Sequence, residues 1–199
     1  MAENTFIKSE MKRLPIVLIS LILLCSFGCG SKHPSIESDP LAQYRDTLVG
    51  NFNGTEIDTL ICELADTLPI SYRYKIHSLN NTVLSLAIEN ANIPMRLVNE
   101  GDLDGNGTDE FGVRRETDAG TWNNYCVYTY DNGEWKYLIE PIWTYSDHFY
   151  ADLNKGADVV ERANQSGYVT VRFSDIRNDD LCIVDTLMPI APHPITNQE

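Results

Sequence analysis

Hydrophobic residues along this 199-residue chain occur in short runs that are separated by Gly, Asn, Asp and Pro. Short runs rich in β-branched and aromatic residues, bounded by turn-forming residues, are typical of β-strands. The predicted strands are 56–63, 70–76, 82–88, 95–99, 110–115, 124–130, 134–140, 168–174 and 181–188. Helical periodicity is weak, and the best candidate for a short helix is 157–165 (ADVVERANQ). The pattern therefore predicts a mainly β fold built from antiparallel sheets.

The clearest hairpin is 125–140, YCVYTYDNGEWKYLIE. Its Asn132-Gly133 pair favours a two-residue turn, because both central residues of that turn need a positive φ. With this register three cross-strand pairs share one face of the hairpin: Tyr130–Trp135, Tyr128–Tyr137 and Cys126–Ile139. Aromatic pairs of this kind stabilise a sheet, so we expect this face to belong to the core.

One segment is echoed along the chain. GNFNGTEIDTLIC (50–62) aligns without gaps on GDLDGNGTDEFGV (101–113), and 151–160 is a frayed third candidate. A period near 50 residues with several strands per unit is typical of propeller blades. Three units would not close a propeller of four to eight blades. We therefore expect either propeller-blade-like repeats of about 50 residues or, as the alternative, a β-sandwich.

The N-terminal region has the layout of a secretory signal. Lys12 and Arg13 precede an apolar run at 14–24, which is shorter than the about 20 residues that a membrane span needs. The run ends in SFGC, and this resembles a bacterial lipoprotein signal, which implies lipidation of Cys29. An ordinary signal peptide or an N-terminal anchor helix is the alternative. The expected start of translation is Met11.

These features predict four parts of the chain. They are a signal peptide at 1–28, a lipidated N-terminus and tether at 29–43, a single β domain at 44–190 and a polar tail at 191–199. The expected location is the bacterial cell envelope, with membrane attachment through the N-terminal lipid.

Charge and cysteine content narrow the function classes. The net charge of −14 argues against nucleic acid as a partner, since its phosphates would be repelled. Cys62, Cys126 and Cys182 would remain in the exported domain, either as one disulfide plus a free thiol or as three buried thiols. No CxxC motif or Cys/His cluster is present, so zinc is not expected.

The segment 101–113 carries the most specific chemistry. Oxygen-bearing side chains stand at alternate positions 1, 3, 5, 7 and 9 of the loop: Asp102, Asp104, Asn106, Thr108 and Glu110. Calcium takes six to eight oxygen ligands, and Gly107 at position 6 permits the sharp bend that such a loop needs. An EF-hand is ruled out, because it requires an apolar residue at position 8 and Glu at position 12, where this chain has Asp109 and Val113.

The loop resembles the calcium loops of FG-GAP/VCBS repeats, in which the last acid stands at position 9 and a hydrophobic strand follows at once. Glu110 replaces the Asp usual there. More loosely, the chain resembles small bacterial lipoproteins in which one such loop precedes a VYThxNGxW hairpin. The resemblance implies one structural Ca²⁺. The echo has no carboxylate at positions 1, 3, 5 and 9 (Asn51, Asn53, Thr55 and Thr59), so we expect it to keep the turn without an ion.

No enzyme motif accompanies the loop. The chain lacks HExxH, GxSxG and a phosphate-binding glycine loop, and Ser146, Asp147 and His148 are merely adjacent in sequence. We therefore expect a non-enzymatic binding or scaffold role, with a glycan or an envelope protein as partner. The first alternative is a glycan-binding surface lipoprotein whose Trp122 and Trp143 stack on sugars. The second is a hydrolase with an unidentified site.

Overall fold

The computed structural model describes residues 41–68, 71–91, 95–116, 121–145, 159–177 and 179–195. The strands are β1 (Asp46–Gly50), β2 (Asp58–Thr67), β3 (Tyr72–Ser78), β4 (Leu86–Ala91), β5 (Leu97–Gly101), β6 (Glu110–Glu116), β7 (Trp122–Asp131), β8 (Glu134–Tyr137), β9 (Ile142–Tyr145), β10 (Val160–Arg162), β11 (Tyr168–Arg177), β12 (Asp180–Pro189) and β13 (His193–Pro194). The mainly β prediction is confirmed.

Helix is nearly absent from the described residues, which contain only a 3-10 turn at Ala42–Tyr44. The predicted short helix at 157–165 is wrong over its described part, where β10 pairs with β11. None of the described ranges holds a helix with the length and apolarity that crossing a membrane requires.

The strands form three antiparallel sheets. Sheet A has the order β1-β2-β3-β4, and sheet C has the order β10-β11-β12. Sheet B has the order β13-β8-β7-β6-β5, with β9 also paired to β7. All strand pairs are antiparallel, as short hairpin connections require.

Two buried clusters join the sheets. The first core packs sheet A residues such as Leu60 and Tyr74 against Phe111 and Trp135 of sheet B. The second core packs the other face of sheet B against sheet C, and includes Val127, Val169 and Val171. Sheet B therefore lies between sheets A and C. This arrangement fits the β-sandwich alternative, and no propeller blades are seen among the described strands.

Strand β7 shows why the sequence around it is so continuously apolar. Tyr125 and Val127 are buried in the second core, whereas Cys126 and Tyr128 are buried in the first. Successive side chains of a strand point to opposite faces, so a strand of the middle sheet needs apolar residues at odd and even positions alike.

The predicted hairpin is confirmed at its turn end and wrong at its far end. Asn132 and Gly133 have φ of 52° and 85°, and the pairs Tyr128–Tyr137 and Tyr130–Trp135 form. The third pair does not form, because β8 ends at Tyr137 and Ile139 lies in the second core. The chain leaves the ladder at this point, so the alternation of faces stops with it.

The C-terminal residues include more than a polar tail. His193 and Pro194 pair with Tyr137 and Lys136 of β8, and Ile195 packs against the first core. Among the cysteines, Cys62, Cys126 and Cys182 are all free thiols. Cys62 and Cys126 are buried as the second alternative expects, whereas Cys182 is only half-buried. Cys29 and residues 1–40 lie outside the described residues.

Candidate functional site

The echoed segments lie side by side. Loop 1 (residues 51–57) joins β1 to β2, and loop 2 (residues 102–109) joins β5 to β6. The backbone N–H of Asp109 donates to the carbonyl of Asn51 over 2.8 Å, and the N–H of Asn51 donates to Asp109 Oδ2 over 2.7 Å. Asn51 Nδ2 also donates to the carbonyl of Gly107 over 3.1 Å. The sequence repeat is thus a pair of contacting loops.

Each loop is anchored by the apolar residue at its second position. Phe52 of loop 1 is buried in the first core, where its ring meets that of Phe111 edge-on. Leu103 of loop 2 is buried in the second core. Equivalent residues therefore fix the two loops to opposite faces of sheet B.

Loop 2 closes on its own carboxylates. Asp102 Oδ1 accepts a hydrogen bond from the N–H of Gly105 over 2.7 Å, and its Oδ2 accepts one from Gly107 over 3.2 Å. Asp104 Oδ1 accepts one from the N–H of Asn106 over 2.9 Å. Gly105 and Gly107 have φ of 83° and 88°, a region that side chains with a Cβ rarely adopt. These glycines let the loop curl around its acidic residues.

Three carboxylates converge at the loop. Oxygen atoms of Asp102, Asp104 and Glu110 all lie within 4.8 Å of one another. Glu110 is 0% exposed, and its two oxygens accept hydrogen bonds from the Leu103 N–H and the Thr129 hydroxyl over 2.7 and 2.9 Å. An all-oxygen set of this kind suits a hard divalent cation such as calcium.

Burial makes this cluster electrostatically unfavourable on its own. Burial raises the pKa of Glu110 to about 8; the Leu103 N–H opposes this rise and the nearby Asp104 carboxylate adds to it. Burial is also the main cause that raises the pKa of Asp104, with further contributions from Asp102 and Asp131. A bound cation would favour the charged form of every one of these carboxylates.

The three acidic residues among the predicted ligands, Asp102, Asp104 and Glu110, converge. The two neutral ones, Asn106 and Thr108, form hydrogen bonds within the same loop, as Asp102 and Asp104 also do. Asn106 Nδ2 donates to Asp104 Oδ2 over 3.0 Å, and Asn106 Oδ1 accepts from the Thr108 N–H over 2.7 Å. Asn106 and Thr108 therefore stay predicted ligands, and their side chains help to shape the loop.

Sheet C adds a residue that the sequence did not indicate. Arg162 of β10 donates from Nη1 to the Asp102 carbonyl over 3.3 Å, and Nη1 lies 3.9 Å from Asp102 Oδ2. A Cβ at Gly105 would stand 2.5 Å from Arg162 Nη2, so the glycine leaves room for the guanidinium. Arg162 follows loop 2 by some 60 residues, and no local spacing predicts the contact.

Loop 1 achieves a similar turn with neutral groups. Asn53 Oδ1 accepts hydrogen bonds from the Thr55 N–H, the Thr55 hydroxyl and the Glu56 N–H over 2.8, 2.9 and 3.1 Å. The loop leads into Asp58, the first residue of β2, which is 3% exposed and accepts hydrogen bonds from Ser78, Thr82, Thr59 and Asn80.

The pKa of Asp58 moves in the opposite direction to that of Glu110. Burial raises the pKa of Asp58, but the hydrogen bonds from Ser78, Thr82 and the backbone outweigh it and hold the pKa at about 2. Loop 1 is therefore followed by a carboxylate whose charge is stabilised by hydrogen bonds from the protein itself.

The two candidate stacking residues lie on strands, not in irregular segments. Trp122 of β7 is opposite Tyr145 of β9, and Asn124 is opposite Trp143. Trp143 is 51% exposed, while Trp122 is half-buried with its ring 5.5 Å from that of Tyr145. Strand alternation places these side chains on the face of sheet B that bears Cys126 and Tyr128.

Comparisons with protein-family models, with curated proteins and with solved structures gave no match to this chain. Ser146, Asp147, His148 and most of the third echo at 151–160 lie outside the described residues.

Proposed function

We propose that loop 2 holds one structural calcium ion in an exported bacterial protein that is anchored to the cell envelope by a lipid on Cys29. The protein has a non-enzymatic binding or scaffold role. The observation that carries the calcium proposal is the convergence of Asp102, Asp104 and the fully buried Glu110.

The position of the cluster indicates what the ion would do. Asp102 and Asp104 belong to the loop, whereas Glu110 is the first residue of β6. An ion shared by these residues would fix the loop to the strand it precedes. Loop 2 of sheet B also forms hydrogen bonds to loop 1 of sheet A and to Arg162 of sheet C. The bound ion would therefore stiffen the place where the three sheets meet.

Thermal unfolding of the purified protein tests this proposal. With an affinity in the range of about 0.1–1 mM for extracellular modules, 10 mM free calcium should stabilise the fold by about 1.4–2.7 kcal/mol. For a chain of this size that raises Tm by roughly 3–10 °C relative to a chelator. Asp104→Asn should remove the increase. No calcium-dependent shift in the wild type would overturn the proposal.

The chain offers a matched control for that variant. Asn53 occupies in loop 1 the position of Asp104 in loop 2. Asn53→Ala should lower Tm equally with calcium and with chelator, because its hydrogen bonds involve no carboxylate. A calcium response lost equally in both variants would mean that general loop damage, rather than ligand loss, explains the effect of Asp104→Asn.

The lipid anchor has its own test. Expressed in a bacterial host with labelled fatty acid, the wild type should incorporate label and sediment with membranes, whereas Cys29→Ser should do neither. Label retained by the Cys29→Ser variant would overturn the assignment of Cys29.

Glycan binding is a second candidate function, favoured by the exposure of Trp143 beside Trp122 and Tyr145 on a regular strand face. Flat aromatic faces pack against the apolar faces of sugar rings. Short oligosaccharides should change the tryptophan fluorescence of the wild type but not that of Trp143→Ala. An unchanged spectrum across neutral and acidic sugars would remove this candidate.

A further inference from the structure

Arg115 on β6 is a partly buried cation without a carboxylate partner among the described residues. Its Nη2 donates to the Glu89 carbonyl over 2.8 Å, and its Nη1 lies 3.5 Å from the Tyr137 hydroxyl. The guanidinium also bonds to Cys126, and its Nε is buried with no hydrogen-bond partner in the part of the chain that the structure describes. Buried charges are normally paired, and this chain carries a net charge of −14, so acidic groups to pair with are plentiful.

A second unpartnered atom lies on the residue opposite. Asn124 of β7 faces Arg115 directly in the ladder, and its Oδ1 is also buried without a partner. Each unpaired buried donor or acceptor costs about 1–3 kcal/mol. The two facing residues thus present one unused donor and one unused acceptor.

Trp143 completes the row. It lies opposite Asn124 on β9, so Arg115, Asn124 and Trp143 stand side by side across three adjacent strands. Neighbouring strands are about 4.8 Å apart, and the row therefore spans about the width of two sugar rings. Its outer end is the exposed indole and its inner end is the guanidinium.

The chemistry of the row selects a class of ligand. A guanidinium presents parallel N–H groups that match a carboxylate, an amide carbonyl accepts from a hydroxyl, and an indole offers a stacking face. The acidic surface would repel a polyanion. The ligand that suits the row best therefore carries a single negative charge, which pairs with the guanidinium.

We propose that the Arg115–Asn124–Trp143 row binds a short saccharide that carries one carboxylate, such as a terminal hexuronic acid. The carboxylate meets Arg115, a ring hydroxyl donates to Asn124 and the ring face stacks on Trp143. Because Arg115 Nε and Asn124 Oδ1 are both closed to solvent, both side chains turn toward Trp143 on binding. Arg115 then exchanges its hydrogen bonds to the Glu89 carbonyl and the Tyr137 hydroxyl for the ligand carboxylate. This inference rests on the glycan-binding candidate above and adds the acidic group.

The test compares matched ligands on the wild type. Short oligosaccharides ending in glucuronate, galacturonate or mannuronate are titrated at physiological salt, beside the same compounds with the carboxyl reduced to an alcohol. At least one acidic form should bind about tenfold to a hundredfold more tightly than its reduced form, as the loss of one charge-assisted pair predicts. Arg115→Gln should erase that difference, and Trp143→Ala should weaken both forms.

The outcomes separate the two levels of the proposal. Equal binding of acidic and reduced forms, lost in Trp143→Ala, overturns the carboxylate inference and leaves the glycan candidate standing. No binding of either form overturns both. Arg73→Gln, which removes a half-exposed guanidinium of sheet A, is the control and should bind as the wild type does. If Arg115→Gln does not fold, the comparison of matched ligands on the wild type decides alone.

Discussion

Loops 1 and 2 occupy equivalent places between two strands, yet they are closed by different chemistry. Asn53 holds loop 1 with neutral hydrogen bonds, whereas Asp104 holds loop 2 from the same position with a carboxylate. The turn therefore does not require the charge. Acidic residues that the turn does not need, held together at the cost of raised pKa values, are the strongest reason to expect a cation at loop 2.

The buried carboxylates after the loops make the same contrast. Asp58 begins β2 and accepts hydrogen bonds from four residues. Glu110 begins β6 and accepts them from two. The difference explains why the pKa of Asp58 is about 2 while that of Glu110 is about 8. Asp58 is satisfied by the protein, and Glu110 has capacity left for another partner.

The largest expected effect is a pH dependence caused by Glu110. Its pKa is about 8 in the folded state against an ordinary value of 4.5, so between these values the folded state binds the extra proton. Stability of the metal-free protein should therefore fall as pH rises from 5 to 8, by on the order of 3 kcal/mol if one proton is involved. Urea unfolding at both pH values measures it.

Glu110→Gln is the variant that isolates this group. It keeps one oxygen to accept from the Leu103 N–H, and its NH2 can donate to the Thr129 hydroxyl, which then acts as the acceptor. Because it cannot ionise, the pH dependence between 5 and 8 should largely disappear. Calcium should flatten the wild-type profile and leave the variant unchanged. Equal slopes for the metal-free wild type and Glu110→Gln would show that another group titrates.

Asp58 should give the next largest effect, with the opposite sign in pH. Asp58→Asn removes the acceptor that Ser78 and Thr82 both use and should cost about 2–3 kcal/mol. Because the folded pKa lies below the ordinary 3.8, the wild-type contribution is present above about pH 4 and lost as pH falls through about 2. Asp66→Asn on the exposed part of β2 is the matched control and should change the free energy of unfolding by less than about 0.5 kcal/mol.

The sequence predicted most of the strand positions, but it did not predict how the three sheets pack on one another. All nine predicted strands overlap observed ones, because each is a short run rich in β-branched and aromatic residues between turn-forming residues. The missed strands β1, β9, β10 and β13 have five residues or fewer and offer too little pattern. That sheet B is covered on both faces depends on which distant strands pack on it, and only the continuous apolar run of β7 hinted at this.

At the site, sequence spacing predicted the local residues and missed the distant ones. Asp102, Asp104 and Glu110 are within one loop and its following strand, so their convergence follows from the turn. Thr129 reaches Glu110 from β7, Arg162 reaches loop 2 from β10, and Asn51 reaches it from loop 1. These contacts are made by tertiary packing, which local spacing does not encode.

Asn51 allows a test of whether loop 1 supports calcium binding at loop 2. Although it belongs to loop 1, its side chain donates to Gly107 of loop 2. Asn51→Ala should cost about 1 kcal/mol and also reduce the calcium-induced rise in Tm, whereas Asn53→Ala should leave that rise unchanged. Thermal unfolding with calcium and with chelator measures both. Identical calcium responses in the two variants would mean that loop 1 does not support the site.

Effects about as large as that of Asn51→Ala should come from the glycines that shape each loop. Gly54 and Gly107 both have a positive φ, but a Cβ at Gly54 would stand 3.2 Å from Thr108 Cγ2 while one at Gly107 would meet nothing within 4 Å. Alanine at Gly107 should therefore cost about 1 kcal/mol from backbone strain alone, and alanine at Gly54 somewhat more.

Asn tolerates the left-handed region, so Gly107→Asn should cost less than Gly107→Ala in urea unfolding. At Gly54 the larger Asn side chain should give no such relief, because the space beside Thr108 is taken. If Asn costs less stability than Ala at both positions, Gly54 is packed less tightly against Thr108 than the 3.2 Å approach indicates.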